Sequence, residues 1–390
     1  MRRSGNLAAV LAASAIATSA HAQAAPDADQ PTPPPAQPAT PFILGAYVEA
    51  FYQWNFNKPS NDLTNYRGFD NRHNTFTLAN AVLDAQWDVH DVFGRLTLQI
   101  GHTPSTYYLS EPERSGSAAT NASDKELWKY LQQAYAGYRF LDALAISMGI
   151  FLSPIGAESM AIKDNWNWSR SNLFFGSPFY HTGARASYVW GDAWTFMLAA
   201  TNGWNSVVDN NVHKSIAAQA TYARTRIALS LLYFGGVERP RGAPEGQPWR
   251  HLFDAHATWH VSSWLSLLAH ANAGFEPNHF GSSRWGAGAL YARARVFEAL
   301  YLALRGDAFF EHVPEGASPI FWPVAWVASG TATLEYRPVE HVSFRAEYRH
   351  DQAEGAMFFG GKVATDESSG AFVANRRKQD TITLGTTAWF

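Results

Sequence analysis

The sequence predicts an all-β fold: a transmembrane antiparallel up-and-down β-barrel of about sixteen strands, with short periplasmic turns and long extracellular loops. Three observations carry this. First, in the closing segment Gln379-Asp-Thr-Ile-Thr-Leu-Gly-Thr-Thr-Ala-Trp389-Phe390, Ile382, Leu384, Ala388 and Phe390 share one parity, and Gln379, Thr381, Thr383 and Thr387 the other. Successive side chains of a strand point to opposite faces, so this segment offers one face to oil and one to water. Second, charged residues are only 16% and aromatics 14%, with 15 Trp and 16 Tyr, yet mean hydropathy is −0.23. Soluble domains carry about 25% charged residues. Few charges, many aromatics and near-neutral hydropathy fit a barrel whose wet lumen dilutes its lipid face. Third, the alternation recurs along the chain, and the links between runs are by turns short and long.

In chain order, residues 1–22 read as a signal peptide. Arg2 and Arg3 precede an apolar stretch from Leu7 to Ala17, and Ala20-His21-Ala22 is an A-x-A cleavage site. That stretch is too short to span a bilayer, and no later run of about 18 apolar residues follows. Residues 23–41 form a Pro/Ala-rich flexible linker. The barrel is assigned to residues 42–390.

The alternating runs begin near 42, 74, 94, 129, 144, 181, 193, 213, 226, 250, 264, 284, 300, 325, 341 and 379. In the first, Phe42, Leu44, Ala46, Val48, Ala50, Tyr52 and Trp54 alternate with Gly45, Tyr47, Glu49, Gln53 and Asn55; in the second, Ala79, Ala81, Leu83, Ala85 and Trp87 share the apolar parity. Short links include Leu141-Asp-Ala143, Gly191-Asp192, Arg224-Thr225, Ser262-Ser263 and Pro338-Val-Glu340; long ones include 57–73, 102–127, 153–180, 235–249, 312–324 and 352–378. An even strand number puts both ends of the barrel in the periplasm. Aromatics gather beside the short links: Trp87, Phe93, Tyr138, Phe140, Trp190, Trp194, Trp259, Trp264, Phe297, Tyr336, Phe344, Trp389 and Phe390. Rings with a polar tip settle at headgroup level, so these read as an aromatic girdle. Residues 110–123 are polar, and Asp124 to Leu131 can form a helical turn. The Trp- and Asn-rich 153–180 loop suits either a constriction folded into the bore or a lid at its mouth.

Specific residues resemble a family. Gly45-x-Tyr47-x-Glu49-x-Phe51, Asn55-x-Asn57-x-Pro59 and Phe69-Asp-x-Arg72-x-Asn74-x-Phe76 are similar to the opening of the outer-membrane β-barrel porin family described as OmpL-like. So are Gly149-x-Phe151-x-Ser153-Pro154-Ile155-Gly156-x-Glu158, Ser169-Arg170-Ser171, His181-Thr182-Gly183-x-Arg185 and Thr201-Asn202-Gly203-Trp204. The resemblance covers essentially everything after the linker. It implies a pore in the outer membrane of a Gram-negative cell and adds little about cargo.

Charge and composition bound the function. Setting aside Arg2 and Arg3 leaves 28 basic against 33 acidic residues, a net of about −5, which is no footprint for nucleic acid. With no cysteine there is neither a disulfide framework nor a thiolate metal site. The parity opposite the apolar one carries Glu49, Asp84, Arg95, Arg139, Arg185, Asp254, His256, Arg293, Arg305, Asp307, Glu335, Arg345, Glu347 and Arg349. Arg or Lys on the lipid face costs about 2–4 kcal/mol near the midplane, so confinement of charge to one parity marks the lumen. Arg345-x-Glu347-x-Arg349 and Arg305-x-Asp307 share a face by their spacing and are the candidates for a constriction wall. Arg185, Arg95 and Glu49 complete the pore-lining set. His251, His256, His260 and His270 lie near Ser262, Ser263 and Ser266, yet no G-x-S-x-G appears, so lumen-filling histidines outweigh a hydrolase. No catalytic residue, metal or cofactor is assigned. The expected function is passive diffusion of small polar solutes or ions through a water-filled channel; the alternative is a barrel that anchors an enzyme or adhesin. Expected partners are outer-membrane lipids, the barrel assembly machinery acting through Phe390, the solutes themselves and further copies of the chain.

Overall fold

The computed structural model describes residues 41–111, 125–209 and 211–390. The expected signal peptide, the linker up to residue 40 and most of the polar 110–123 stretch lie outside the described residues.

Fifteen strands and a C-terminal strand close into one antiparallel barrel. They are β1 (Phe42–Asn55), β2 (Thr75–Val89), β3 (Val92–Ile100), β4 (Leu131–Leu141), β5 (Leu144–Leu152), β6 (Tyr180–Trp190), β7 (Trp194–Thr201) and β8 (Ser215–Arg224). β9 (Ile227–Val237), β10 (Trp249–His260), β11 (Leu265–Asn278), β12 (Gly281–Phe297), β13 (Leu300–His312), β14 (Trp326–Val339) and β15 (Val342–Ala353) follow, then the C-terminal strand Lys378–Trp389. Each strand pairs with its neighbours in sequence, and the C-terminal strand closes the cylinder against β1, with Tyr47 opposite Trp389 and Asn55 opposite Thr381. Closure leaves no edge, so every ladder N–H and C=O has a strand to pair with, which a hydrocarbon medium demands.

Alternation is what the wall obeys. Along the C-terminal strand Gln379, Thr381, Thr383 and Thr387 are buried inside while Ile382 and Leu384 stand outside. Met148, Leu198, Leu231 and Leu290 are between 62% and 69% exposed on the outer face. An apolar band of this extent has no place in water and matches acyl chains.

Three details depart from the simple pattern. The β1–β2 register shifts between Glu49 and Ala50, and this bulge turns Ala79 inward, where it packs with Phe51, Ile162 and Trp168. Two expected girdle members also turn inward: Trp389 packs near Tyr47 and Val82 with Arg337 over its ring, and Phe93 lies under Arg139. Finally, β11 and β12 are joined by residues 279–280 alone, so one outer connection is a tight hairpin. The expected helical turn is present at Lys125–Trp128.

Candidate functional site: the lumen and its inner loop

The 153–179 loop, whose place sequence leaves open, runs inside the barrel. Past its root at Ser153, its hydrogen bonds reach β1, β8, β10, β11, β13, β14 and β15. Among the described residues, β3, β4, β6 and β7 receive none. The loop is therefore laid against one side of the cylinder.

Apolar anchors hold it there. Trp168 is fully buried, its ring 6.0 Å from Phe51 and seated over Gly385, where an added Cβ would stand 2.2 Å from the indole. A glycine at a lumen position of a strand marks such a close approach. Trp166 meets Tyr291 edge-on at 6.4 Å, and Leu173 is fully buried beside Ala289 and Ala303. Each indole brings a large apolar area to a wall otherwise rich in charge.

The charged wall supplies what strand pairing cannot: partners for the loop's backbone. Glu347 accepts from Trp168 N (2.6 Å), Ser169 N (2.9 Å) and Thr333 Oγ1 (2.7 Å). Arg345 donates to Ile162 O (2.8 Å) and Asn167 O (3.3 Å) while pairing with Glu335 at 2.8 Å. Arg349 donates to Arg170 O (2.5 Å) and pairs with Asp351 at 2.7 Å. Arg305 donates to Arg170 O (3.3 Å) and to Ser169 O, with Glu158 at 3.2 Å and Asp307 at 3.1 Å. Asp307 accepts from Asn172 N (3.0 Å) and Nδ2 (2.7 Å), and Glu49 accepts from Ile162 N (2.5 Å). Acidic side chains take the loop's N–H groups and arginines its carbonyls. A buried ionic wall left bare would be costly, and here each charge is paired or hydrogen-bonded.

All eight residues singled out from sequence face the lumen. Six of them (Glu49, Arg305, Asp307, Arg345, Glu347 and Arg349) meet at the loop and stand behind it. Arg95 and Arg185 stand apart, on β3 and β6, which past Ser153 take no hydrogen bond from the loop among the described residues. Arg95 forms a two-pronged pair with Asp84 (2.8 and 2.9 Å) and is partly exposed. Sequence reasoning missed the loop's half of the contact: Ile162, Asn167, Trp168, Arg170 and Asn172. The one available signal was Gly385, which interrupts the Thr-x-Thr pattern of an inward face.

The histidines separate into two groups. His270 Nε2 lies 2.7 Å from Asp254, which also accepts from Gly156 N at 3.2 Å, so this pair steadies the start of the loop. His260 Nδ1 is 2.8 Å from Ser266 Oγ, but no carboxylate pairs with His260 among the described residues.

At the loop end of the barrel, two apolar clusters bind the connections to each other. One joins Phe69, Tyr107, Tyr108, Met160, Tyr180 and Val207; the other gathers Trp285, Phe309, Trp322, Met357 and Phe358 with Phe175 and Trp204. Glu111 ties them further, accepting from Val207 N (2.9 Å), Val208 N (3.2 Å) and Tyr180 OH (2.5 Å). Beside the first cluster His102 sits between Asn71 Oδ1 (2.6 Å from Nε2) and Arg72, whose Nε donates to Nδ1 at 3.3 Å. Burial, with the Arg72 guanidinium alongside, pushes this imidazole down to about 4.

Comparison with known proteins agrees with this architecture. Among solved structures, the chain is similar to the outer membrane channel DcaP of Acinetobacter baumannii (14% identity, 90% of this chain and 97% of that one, TM-score 0.56). It is similar to the anion-selective porin from Comamonas acidovorans (10% identity, 90% and 99%, TM-score 0.61). It is also similar to the trimer form of OmpT from Vibrio cholerae (12% identity, 90% and 99%, TM-score 0.55). At such identities these likenesses show the fold. Among curated proteins none matches the chain. The model of the family described as "Putative beta-barrel porin-2, OmpL-like" matches residues 41–390, and the chain belongs to that outer-membrane porin family.

Proposed function

We propose that this porin conducts small polar solutes and ions across the outer membrane by passive diffusion, with passage set by the width and charge of its lumen. The observation that carries this reading is the closed sixteen-strand cylinder whose outer parity is apolar and whose inner parity holds the charge. Glu49, Arg305, Asp307, Arg345, Glu347 and Arg349 act on width by holding the inner loop. Arg95 and Arg185 act on charge, on the wall opposite. Selectivity of this kind needs no chemical step.

Residues 1–22 act, on this reading, as a cleaved export signal and residues 23–41 as a tether. Phe390, 72% exposed at the end of the closing strand, is the residue offered to the assembly machinery. Removing it should lower the amount of folded barrel in cells while leaving folding into detergent unchanged. Association with further copies of the chain is also part of the proposal, in keeping with the trimer form of OmpT. Liposome swelling tests the function itself. Vesicles carrying the barrel should swell in sugars at rates that fall with solute size, and folded, inserted barrel that admits no solute would contradict the reading.

A further inference from the structure

Eight arginines among the described residues are buried: Arg67, Arg170, Arg185, Arg250, Arg293, Arg305, Arg345 and Arg349. Seven have a carboxylate or a backbone carbonyl within hydrogen-bond distance, as Arg67 with Asp70, Arg170 with Trp168 O, Arg250 with Glu276 and Arg293 with Glu335. Arg185 alone has neither. Its Nε donates to Ser147 Oγ at 3.1 Å, a neutral partner, and no carboxylate among the described residues reaches it. A guanidinium is charged at every accessible pH and presents five N–H groups, so burying it without an anion is costly.

The surroundings keep that charge without neutralising it. The guanidinium carbon lies 4.6 Å from the ring centre of Tyr135 on β4 and 4.6 Å from that of Phe151 on β5. Ring faces attract a cation and hold its plane, and the Tyr135 side chain also takes a hydrogen bond from the guanidinium, but both are neutral and leave the positive charge unmatched. The positions around it are small. Ser147 pairs with Arg185, Gly149 with Gly183, and Ala199 follows on β7 opposite Arg185. The inner loop makes no hydrogen bond to β4 or, past Ser153, to β6 among the described residues, and Arg95 stands two strands from Ser147 on the same side, beside Tyr135 in register.

We infer that Arg185 is an anion-binding station in the bore, taking the carboxylate or phosphate group of a passing solute between the Tyr135 and Phe151 rings. The inference rests on the pore reading above and names its preferred cargo: small solutes carrying an oxyanion. Planar, doubly accepting oxyanions match the free edge of a guanidinium in a way that chloride does not.

The test uses the full barrel in planar bilayers with inorganic phosphate as the probe. Wild-type channels in potassium chloride should show saturable, phosphate-dependent reduction of current. Arg185→Gln, and separately Arg185→Met, which fills the slot between the rings without charge, should weaken phosphate binding about tenfold, the factor expected for losing a charged hydrogen-bond partner. Arg185→Lys, which keeps the charge without the planar fork, should bind phosphate more weakly than wild type and more tightly than the Gln and Met variants. Conducting Gln and Met variants with unchanged phosphate affinity would overturn the station and leave the pore standing. Wild-type barrel that inserts but conducts nothing would overturn both.

Discussion

Replacement of Glu347 by Ala probes the contact on which the lumen's shape depends. Glu347 is 2% exposed and takes two consecutive backbone N–H groups of the inner loop, at 2.6 and 2.9 Å, plus the Thr333 hydroxyl. Truncation strands the Trp168 and Ser169 N–H groups, each at about 1–3 kcal/mol. The loss is therefore about 2–6 kcal/mol of loop docking, while the ladder of β15, made by backbone groups, is untouched. Even the lower figure shifts the docked–undocked balance by about thirtyfold. Single-channel recording should show larger and noisier openings than wild type, and protease should cut within residues 153–179. The barrel should still run as a compact species on unheated gels. Unchanged conductance together with an uncut loop would refute the claim that the charged wall holds the loop.

Other outcomes follow from the same geometry. Gly385→Ala puts a methyl group against Trp168, so a cost of about 1–3 kcal/mol of overpacking should appear as a lower unfolding midpoint and faster cleavage of the loop. Leu290→Arg places a charge in the apolar band and should cost about 2–4 kcal/mol in lipid-vesicle unfolding; an unchanged midpoint would put Leu290 away from acyl chains. His102 has its folded value pushed down to about 4 from an ordinary 6.5, so its neutral form is the folded one. Its contribution is present above about pH 6.5 and is lost as pH falls toward 4, because the unfolded state binds the proton first. Proteolysis of the outer loops should accelerate over that window, and His102→Gln should flatten the profile.

The wall was largely readable from the chain because its rule is local. Parity at spacing two placed Glu49, Arg305, Asp307, Arg345, Glu347 and Arg349 on the lumen face, and the strand starts fall within three residues of the expected positions. What parity cannot carry is the filling of the bore. Glu347 meets Ser169 across 178 positions and Arg345 meets Ile162 across 183, so no periodicity within either segment records the pairing. The bulge at Glu49/Ala50 shows the same limit at short range: one extra residue moved Ala79 to the inside. Trp389 and Phe93 were misassigned because an aromatic beside a turn can serve the girdle outside or an arginine inside, and only the cations over their rings decide.

Single-channel recording of the purified wild-type barrel in planar bilayers tests the central claim most directly. A lipid-embedded cylinder narrowed by an inward loop should give discrete, stepwise openings, smaller than those of a barrel lacking residues 157–175. Silence from folded, inserted barrel, or equal steps with and without the loop, would contradict it.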